Sequence, residues 1–436
     1  MANANGTLMV APARPAVAFG AGSLEAHTIP WSVEPRYAAP AHGIISQAWR
    51  WALKMPLKMR GLSVALASLA VFTSSFAAPS VYAVPRDAGL TIDVHETFTH
   101  ASGATCTNFY VPFSVTENSQ GHFTDDNYSI EVLHNFKTFR NFRTATYNIS
   151  AVHCVPRGNK KDTVQMLVHG ATFSKIMWDW PWQPEKYSWT RRMHAEGYPT
   201  LAFDLVGSGN SSHPHGLYEV QTQVIVEQVH HMIKLLKSGG IGGVKYLKVA
   251  YIGFSIASIA GVSLAYQAPD AIDALVLHGF TWNIQELYPA FLSGLQVAAS
   301  GLEKPEWKDF PATYTTQSTR EGRQAAVFYG DFDPNIVPVD FYLRDVDTLG
   351  LSISLSYHLV TPNLYKGPVM LANGDQDATF CGFHCGSAPY QLFDRFPNAT
   401  EHNIIVYPQA GHGLHLHNHA QTLMTDTLAF LKRNGF

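Results

Sequence analysis

The stretch that decides the fold is Tyr246-Leu-Lys-Val-Ala-Tyr-Ile-Gly-Phe-Ser255-Ile-Ala-Ser-Ile-Ala-Gly261. A run of β-branched and aromatic residues ends at Gly253, and a series of small residues typical of a packed helix starts at Ser255. Between them lies Gly253-Phe-Ser255-Ile-Ala257, a variant of the G-x-S-x-G pattern, in which a very tight turn requires small residues on both sides of the serine. We therefore predict a buried strand, a turn that exposes Ser255, and a helix whose N-terminal dipole favours negative charge. A serine that simply caps a buried helix explains this pattern equally well when it is taken alone.

The composition is that of a globular protein, with 46% hydrophobic residues, 14% charged residues and a formal net charge of −3. A chain of 436 residues permits one large α/β domain with insertions or two ordinary domains. Because the charge is near neutral and no basic stripe occurs, we expect no nucleic-acid partner.

Residues 59–83 are predicted to be a secretory signal peptide. Basic residues up to Arg60 precede a short apolar run, and small residues lead to a cleavage site after Ala83. The run is too short for a stable membrane span, which needs about 20 apolar residues. Signals normally begin a chain, so residues 1–58 are interpreted as a disordered or misannotated extension, with translation starting at Met59. The alternative is membrane anchoring by an uncleaved signal anchor at about residues 60–78.

Two further features favour export. Four glycosylation sequons follow the predicted signal, at Asn127, Asn148, Asn210 and Asn398. The cysteines, which are even in number, follow it too: Cys106, Cys154, Cys381 and Cys385. The sequence leaves three pairings open, and proximity along the chain favours Cys106–Cys154 and Cys381–Cys385. A metal site is the competing interpretation, but the spacing is not that of a zinc ribbon.

Polar motifs follow successive predicted strands along the chain. They are His169-Gly170 after residues 163–168, Asp204-Leu-Val-Gly207-Ser-Gly209 after 198–203, Gly374-Asp-Gln-Asp377 after 368–373, and Gly411-His412-Gly413 after 403–408. We favour Asp377 over Asp375 as a functional acid, whereas Asp204 is better explained as a brace of its own loop. The tryptophans at 178–182 are interpreted as packing rather than as a pocket. His415 and His419 could share a helix face, but no carboxylate joins them, so no metal site is predicted.

About ninety residues separate the predicted strand at 271–279 from the next strand, far more than the 2–6 residues of an ordinary connection. Apolar residues recur at helical spacing in Ile284–Val297 and Val337–Leu349. We therefore predict an inserted helical lid at about residues 281–366 that closes over Ser255. The remaining chain, 84–436, is predicted to form one domain that carries this lid.

The order of these motifs along the chain is similar to that of a known protein family. From about residue 90 to 436 the chain resembles the α/β-hydrolase fold superfamily, as a lid-bearing, secreted, esterase-like member. The order nucleophile, acid, histidine, here Ser255, Asp377 and His412, is the order of that fold. Ala257, in place of the second glycine of the motif, is the departure. The resemblance implies an α/β protein with a mostly parallel central sheet, flanking helices and an inserted helical lid.

The resemblance also implies a mechanism. A secreted serine hydrolase of this kind would cleave carboxylic esters or lactones without a cofactor. His412 would take the proton of Ser255, and Asp377 would orient the imidazole. The backbone amides of Ile256 and Ala171 would bind the oxyanion. A serine nucleophile argues against the dehalogenase and epoxide-hydrolase branches of the fold, which attack with aspartate.

Other functions stay open. The same triad can serve a serine peptidase of the proline-iminopeptidase type or cofactor-free peroxidation. Some proteins with this fold are non-catalytic binding proteins, but those usually lack the serine or the histidine, and this chain keeps every member of the triad. Hydrolysis of a small-molecule ester or lactone is ranked first because it is the commonest activity of the fold, not because of any identified pocket residue.

Overall fold

The computed structural model describes residues 92–120, 140–158, 160–286, 294 and 296–436. Within them, one large sheet has the strand order β1-β2-β3-β5-β4-β6-β7-β11-β12. Its strands are β1 (Asp93–Thr99), β2 (Thr105–Gln120), β3 (Arg140–Val155), β4 (Thr163–Val168), β5 (Thr200–Phe203), β6 (Lys248–Phe254), β7 (Ala274–His278), β11 (Val369–Gly374) and β12 (His402–Tyr407).

The type of strand pairing changes once across the sheet, from antiparallel to parallel. β1, β2 and β3 are antiparallel, and β3 also pairs antiparallel with β5. From β5 onward every neighbouring pair is parallel. The carboxyl ends of parallel strands meet at one edge of a sheet, so the loops after β4, β5, β6, β11 and β12 share that edge. This confirms the predicted mostly parallel α/β sheet and places the polar motifs together.

Helices cover both faces of the sheet. The α-helices are α1 (Pro184–Tyr187), α2 (Trp189–Ala195), α3 (Thr222–Ser238), α4 (Ile256–Gln267), α5 (Arg320–Val327), α6 (Ile336–Leu343), α7 (Leu349–Ser354), α8 (Ala378–Cys381), α9 (Leu392–Arg395) and α10 (Ala420–Arg433). Successive residues of a strand point to opposite faces, so β6 contributes Tyr251 to the core with α3 and α4, and Ile252 to the core with α2 and α10. Trp178 and Trp180 are buried in the same core as Ile252, α2 and α10, as expected for packing residues.

The segment between β7 and β11, residues 279–368, is called the insert. It contains α5, α6, α7 and a small antiparallel sheet of β8 (Gln296–Ala298), β9 (Tyr314–Gln317) and β10 (Asp347–Thr348). Two helix predictions are therefore wrong in part: residues 296–298 and 347–348 are strands. Both segments are strands because they pair with β9. The spacing of apolar residues along the chain carries no information about such pairing. Closure of the insert over Ser255 stays a prediction.

Two cysteine pairs lie at disulfide distance, Cys106 with Cys154 and Cys381 with Cys385. This is the pairing that proximity favours, and Cys106 faces Cys154 directly across β2 and β3. Asn148, Asn210 and Asn398 are exposed. Asn127 and the predicted signal at 59–83 lie outside the described residues. Across the described part of the chain, no helix is both long and apolar enough to cross a membrane.

Candidate active site

Ser255 stands at the turn between β6 and α4 in a strained conformation, with φ 58° and ψ −120°. Such a conformation costs a non-glycine residue about 1–3 kcal/mol and persists only where the surroundings impose it. Here a methyl group on Gly253 would lie 2.7 Å from the Tyr251 ring and 2.8 Å from the carbonyl oxygen of Ala257. Ala257 itself is fully buried. The turn therefore requires glycine at 253 and accepts alanine at 257.

The structure brings Ser255, His412 and Asp377 together. The Oγ of Ser255 lies 2.9 Å from Nε2 of His412, and Nδ1 of His412 lies 2.8 Å from Oδ2 of Asp377. All three residues are buried. Because Asp377 is an acceptor when ionised, the imidazole donates from Nδ1 and offers Nε2 to the serine hydroxyl.

Asp377 is held by the start of α8. Its Oδ1 accepts the backbone N–H groups of Thr379 at 2.8 Å and Phe380 at 3.0 Å, which leaves Oδ2 for His412. Asp375, the competing acid, instead accepts the N–H of Ala410 at 3.2 Å. It therefore joins the loops after β11 and β12 and does not contact His412.

His417 holds the loop on both sides of His412. Its Nδ1 lies 2.8 Å from the carbonyl of Gly413, which can only accept, so Nδ1 carries the proton of the neutral ring. Nε2 then accepts the N–H groups of Gly411 at 3.0 Å and Tyr329 at 3.3 Å, and it also lies 3.1 Å from the carbonyl oxygen of Tyr329. Burial lowers the pKa of His417 to about 4, and this keeps the ring neutral near pH 7. In the sequence, His417 stands in a run of alternating histidines with His415 and His419, and no role was predicted for it. Its closeness to His412 in the sequence could have indicated a role near the site. The direction in which its side chain points could not be read from the sequence.

The loop after β4 packs against Ser255. A methyl group on Gly170 would lie 2.7 Å from the Cβ of Ser255, so this approach requires glycine. His169 accepts the N–H of Leu205 at Nε2, at 3.0 Å, and therefore donates from Nδ1 to the carbonyl of Gly170 at 2.9 Å. In a trans peptide the N–H points away from the carbonyl, so His169 sets the direction of the Ala171 N–H. Ile256 is the first residue of α4, where backbone N–H groups have no helical partner.

Two more histidines lie behind the site in a neutral, aromatic environment. Nδ1 of His278 lies 3.1 Å from Nε2 of His415, and the His415 ring meets that of Trp178 edge to face at 4.9 Å. Burial lowers the pKa of His278 to about 3 and that of His415 well below its usual value. His419 instead hydrogen-bonds the carbonyl of Pro408. The histidines that raised the question of a metal thus have separate partners.

Asp204 braces its loop, as its position after β5 predicts. It accepts the backbone N–H groups of Lys175 at 2.8 Å and Asn210 at 2.9 Å, and it forms a partly buried ion pair with the Lys175 ammonium. It is not among the hydrogen-bond partners of His412.

A strained serine at a strand–helix turn, a histidine and a buried carboxylate thus meet at the edge where the parallel strands of an α/β fold end. The sequence profile of the alpha/beta hydrolase family matches residues 166–423, which is more than half of the chain. The chain therefore belongs to the alpha/beta hydrolase family.

Individual relatives are distant. Epoxide hydrolase 3 of Xenopus tropicalis is 23% identical over 125 residues, and the match spans 29% of each chain. Among solved structures, the monoacylglycerol lipase of Paleococcus ferrophilus is 15% identical with a TM-score of 0.45, and the match covers 64% of this chain and 97% of the lipase. The enol-lactonase of Burkholderia xenovorans is 13% identical with a TM-score of 0.44, covering 66% of this chain and 97% of the lactonase.

Proposed function

We propose that the protein is a serine hydrolase that cleaves carboxylic esters or lactones, with Ser255 as nucleophile, His412 as general base and Asp377 as the orienting acid. The observation that carries the proposal is the unbroken hydrogen-bond chain from Ser255 through His412 to Asp377. Each member is held by its own backbone contacts, which is the preorganisation that a nucleophilic serine needs.

The reaction follows from this geometry. Nε2 of His412 takes the hydroxyl proton as Oγ of Ser255 attacks the carbonyl carbon, and Asp377 stabilises the imidazolium. The N–H groups of Ala171 and Ile256 bind the oxygen that becomes negative, and each such donor contributes roughly 10²–10³ in rate. The imidazolium then protonates the leaving alcohol. Water that His412 deprotonates releases the acid and restores Ser255.

Labelling with a fluorophosphonate probe tests the proposal. We expect the wild-type protein to be labelled stoichiometrically, and the variants Ser255→Ala and His412→Ala to remain unlabelled. Ser238→Ala is the matched control, because Ser238 is an exposed serine at the end of α3. Labelling of the Ser255→Ala variant would contradict the assignment of Ser255 as the nucleophile. An absence of labelling in folded wild-type protein would contradict it as well.

A panel of p-nitrophenyl esters graded by acyl length, together with lactones, then tests the substrate class. We expect turnover of at least one ester or lactone that is lost in Ser255→Ala. Turnover of N-terminal proline amides without any of esters would contradict ester hydrolysis and favour a peptidase. Probe labelling without turnover of any of these substrates would likewise overturn the proposed substrate class.

We further propose export with removal of the segment up to Ala83. The two cysteine pairs at disulfide distance and the exposed sequon asparagines at 148, 210 and 398 support an oxidising, glycosylating compartment. N-terminal sequencing of the protein secreted by a eukaryotic host should place the mature start at Val84. A mature protein that starts upstream of Leu62 would contradict cleavage.

A further inference from the structure

A buried ion pair in the insert faces the loop that carries Ala171. Arg323 on α5 and Asp340 on α6 are both excluded from solvent. Nε of Arg323 donates to Oδ2 of Asp340 at 2.6 Å, and Nη2 donates to Oδ1 at 2.9 Å. This two-point pairing fixes the plane of the guanidinium and leaves Nη1 to reach beyond the pair.

The remaining nitrogen points out of the insert toward the loop after β4. Nη1 of Arg323 donates to Oγ1 of Thr172 and to Oε1 of Gln317, and the guanidinium carbon lies 4.2 Å from the centre of the Phe173 ring. The backbone N–H of Asp345 donates to the carbonyl of Thr172 at 3.0 Å. The insert therefore binds both the side chain and the carbonyl of Thr172.

Thr172 needs this support. Its φ is +57°, a left-handed conformation that is an outlier for a β-branched residue and costs about 1–3 kcal/mol. The hydroxyl of Thr172, while accepting from Arg323, donates to the carbonyl of Ala171 at 2.8 Å. The peptide that follows Ala171 is thus oriented from the insert.

The peptide that precedes Ala171 is oriented from the sheet, because His169 binds the carbonyl of Gly170. Ala171 therefore lies between two fixed peptide planes, one held by the sheet and the other by the insert. The His169 contact sets the direction of the Ala171 N–H group, and the Thr172 contact fixes the next peptide, so Ala171 is held on both sides of its Cα.

We propose that Arg323 is a positioning residue of the oxyanion hole: acting through Thr172, it couples docking of the insert to the position of Ala171 and so of its N–H group. The inference rests on the proposed function, since it assigns Ala171 as an oxyanion donor. A buried ion pair often contributes no more stability than apolar residues of the same volume. What distinguishes this pair is that its guanidinium also donates to Thr172, in the loop that carries Ala171.

Two variants separate this role from a general packing role. Thr172→Val removes the hydroxyl at nearly constant volume, and Thr172→Ser keeps the hydroxyl as the control. The double variant Arg323→Met/Asp340→Leu removes the guanidinium without leaving a buried charge unpaired. We expect Thr172→Val and the double variant each to lower kcat and the rate of fluorophosphonate labelling about tenfold or more, with KM nearly unchanged. Thr172→Ser should stay within about threefold of wild type.

A second readout reports on the oxyanion hole directly. Phenylboronic acid forms a tetrahedral adduct with an activated serine and places an oxygen where the oxyanion forms, so its affinity should fall by the same factor as kcat. If Arg323 acts through Thr172, combining Thr172→Val with the double variant should lower kcat no further than the more severe of the two.

The outcomes are distinct. Wild-type rates in Thr172→Val, additive losses in the combined variant, or a loss of thermal stability with kcat and boronate affinity unchanged would each overturn the role of Arg323. Wild-type protein that the probe does not label would instead remove the proposed function, and this inference with it.

Discussion

At the turn that carries Ser255, the space available to each side chain decides which residues fit on either side of the serine. Gly253 is required because a methyl group would meet the Tyr251 ring and the Ala257 carbonyl, whereas Ala257 replaces the more common glycine and stays buried without a left-handed backbone. The strain at Ser255 is confined to one residue and is imposed by the strand and the helix on either side.

A prediction at this scale concerns Gly253. Gly253→Ala should destabilise the protein by about 1–3 kcal/mol, because the added methyl group overpacks a rigid site, and it should abolish fluorophosphonate labelling. Ala257→Gly is the matched control and should cost about 1 kcal/mol of helix stability while labelling persists. Urea unfolding and labelling rates measure both. Full labelling of Gly253→Ala would show that the turn tolerates a side chain.

His417 leads to a second prediction. In the variant His417→Gln, the oxygen of the new side-chain amide can occupy the place of Nε2 and still accept from Gly411. The shorter side chain of His417→Asn cannot reach that place. We expect kcat for ester hydrolysis to fall about tenfold in His417→Asn and less in His417→Gln, with KM little changed, since a buried N–H left unpaired costs about 1–3 kcal/mol. An unchanged kcat in a folded His417→Asn variant would contradict a positioning role.

At the scale of elements, the site is assembled by loops that are tied to other parts of the molecule. α8 begins next to Asp377 and ends at Cys381, and the backbone N–H of Cys385 returns to the carbonyl of Asp375. The short Cys381–Cys385 link therefore closes the segment that carries the acid. The Cys106–Cys154 link lies between β2 and β3, on the opposite side of the sheet order from β11.

The two links predict different consequences of their removal. The Cys106–Cys154 link closes the longer loop, so Cys106→Ala/Cys154→Ala should cost about 4 kcal/mol of unfolding free energy while leaving the labelling rate near wild type. Cys381→Ala/Cys385→Ala should cost only about 2 kcal/mol but should slow labelling, because the loop of Asp377 loosens. Thermal denaturation and labelling of both variants give the comparison. Equal labelling rates in the two would contradict a role for the short link in placing the acid.

The whole molecule buries several neutral histidines. Burial is the main cause that lowers the pKa of His153, His194, His358 and His417 to about 4, and that of His278 to about 3. Burial acts in the opposite sense on two carboxyls of the insert and raises the pKa of Asp345 to about 7 and that of Asp347 to about 6. These five histidines with a lowered pKa outnumber the two carboxyls with a raised pKa, so the histidines dominate the pH dependence of stability.

These shifts predict loss of stability in acid. Between about pH 6.5 and pH 4 the unfolded chain protonates these histidines and the native state does not, so stability falls as pH falls, by at most about 1.4 kcal/mol per pH unit for each histidine. The two carboxyls hold protons only in the native state over most of that range and oppose the trend in part. The Tm should therefore be lower at pH 5 than at pH 7, with net proton uptake on unfolding. A Tm that rises toward pH 5 would contradict this balance.

The sequence by itself determined the features that depend on neighbours along the chain. The continuous apolar runs, the small residues around Ser255 and the order of strand-end motifs predicted the parallel sheet and the three residues that meet at its edge, because the carboxyl ends of parallel strands share one side of the sheet. Proximity along the chain likewise favoured the cysteine pairs. Tertiary structure alone decided what approaches from elsewhere: the pairing that turns residues 296–298 into a strand, the ring of His417 on both sides of His412, and the reach of Arg323 to Thr172. The physical reason is that a side chain's direction and partner follow from packing between distant segments, which no local pattern of residues encodes.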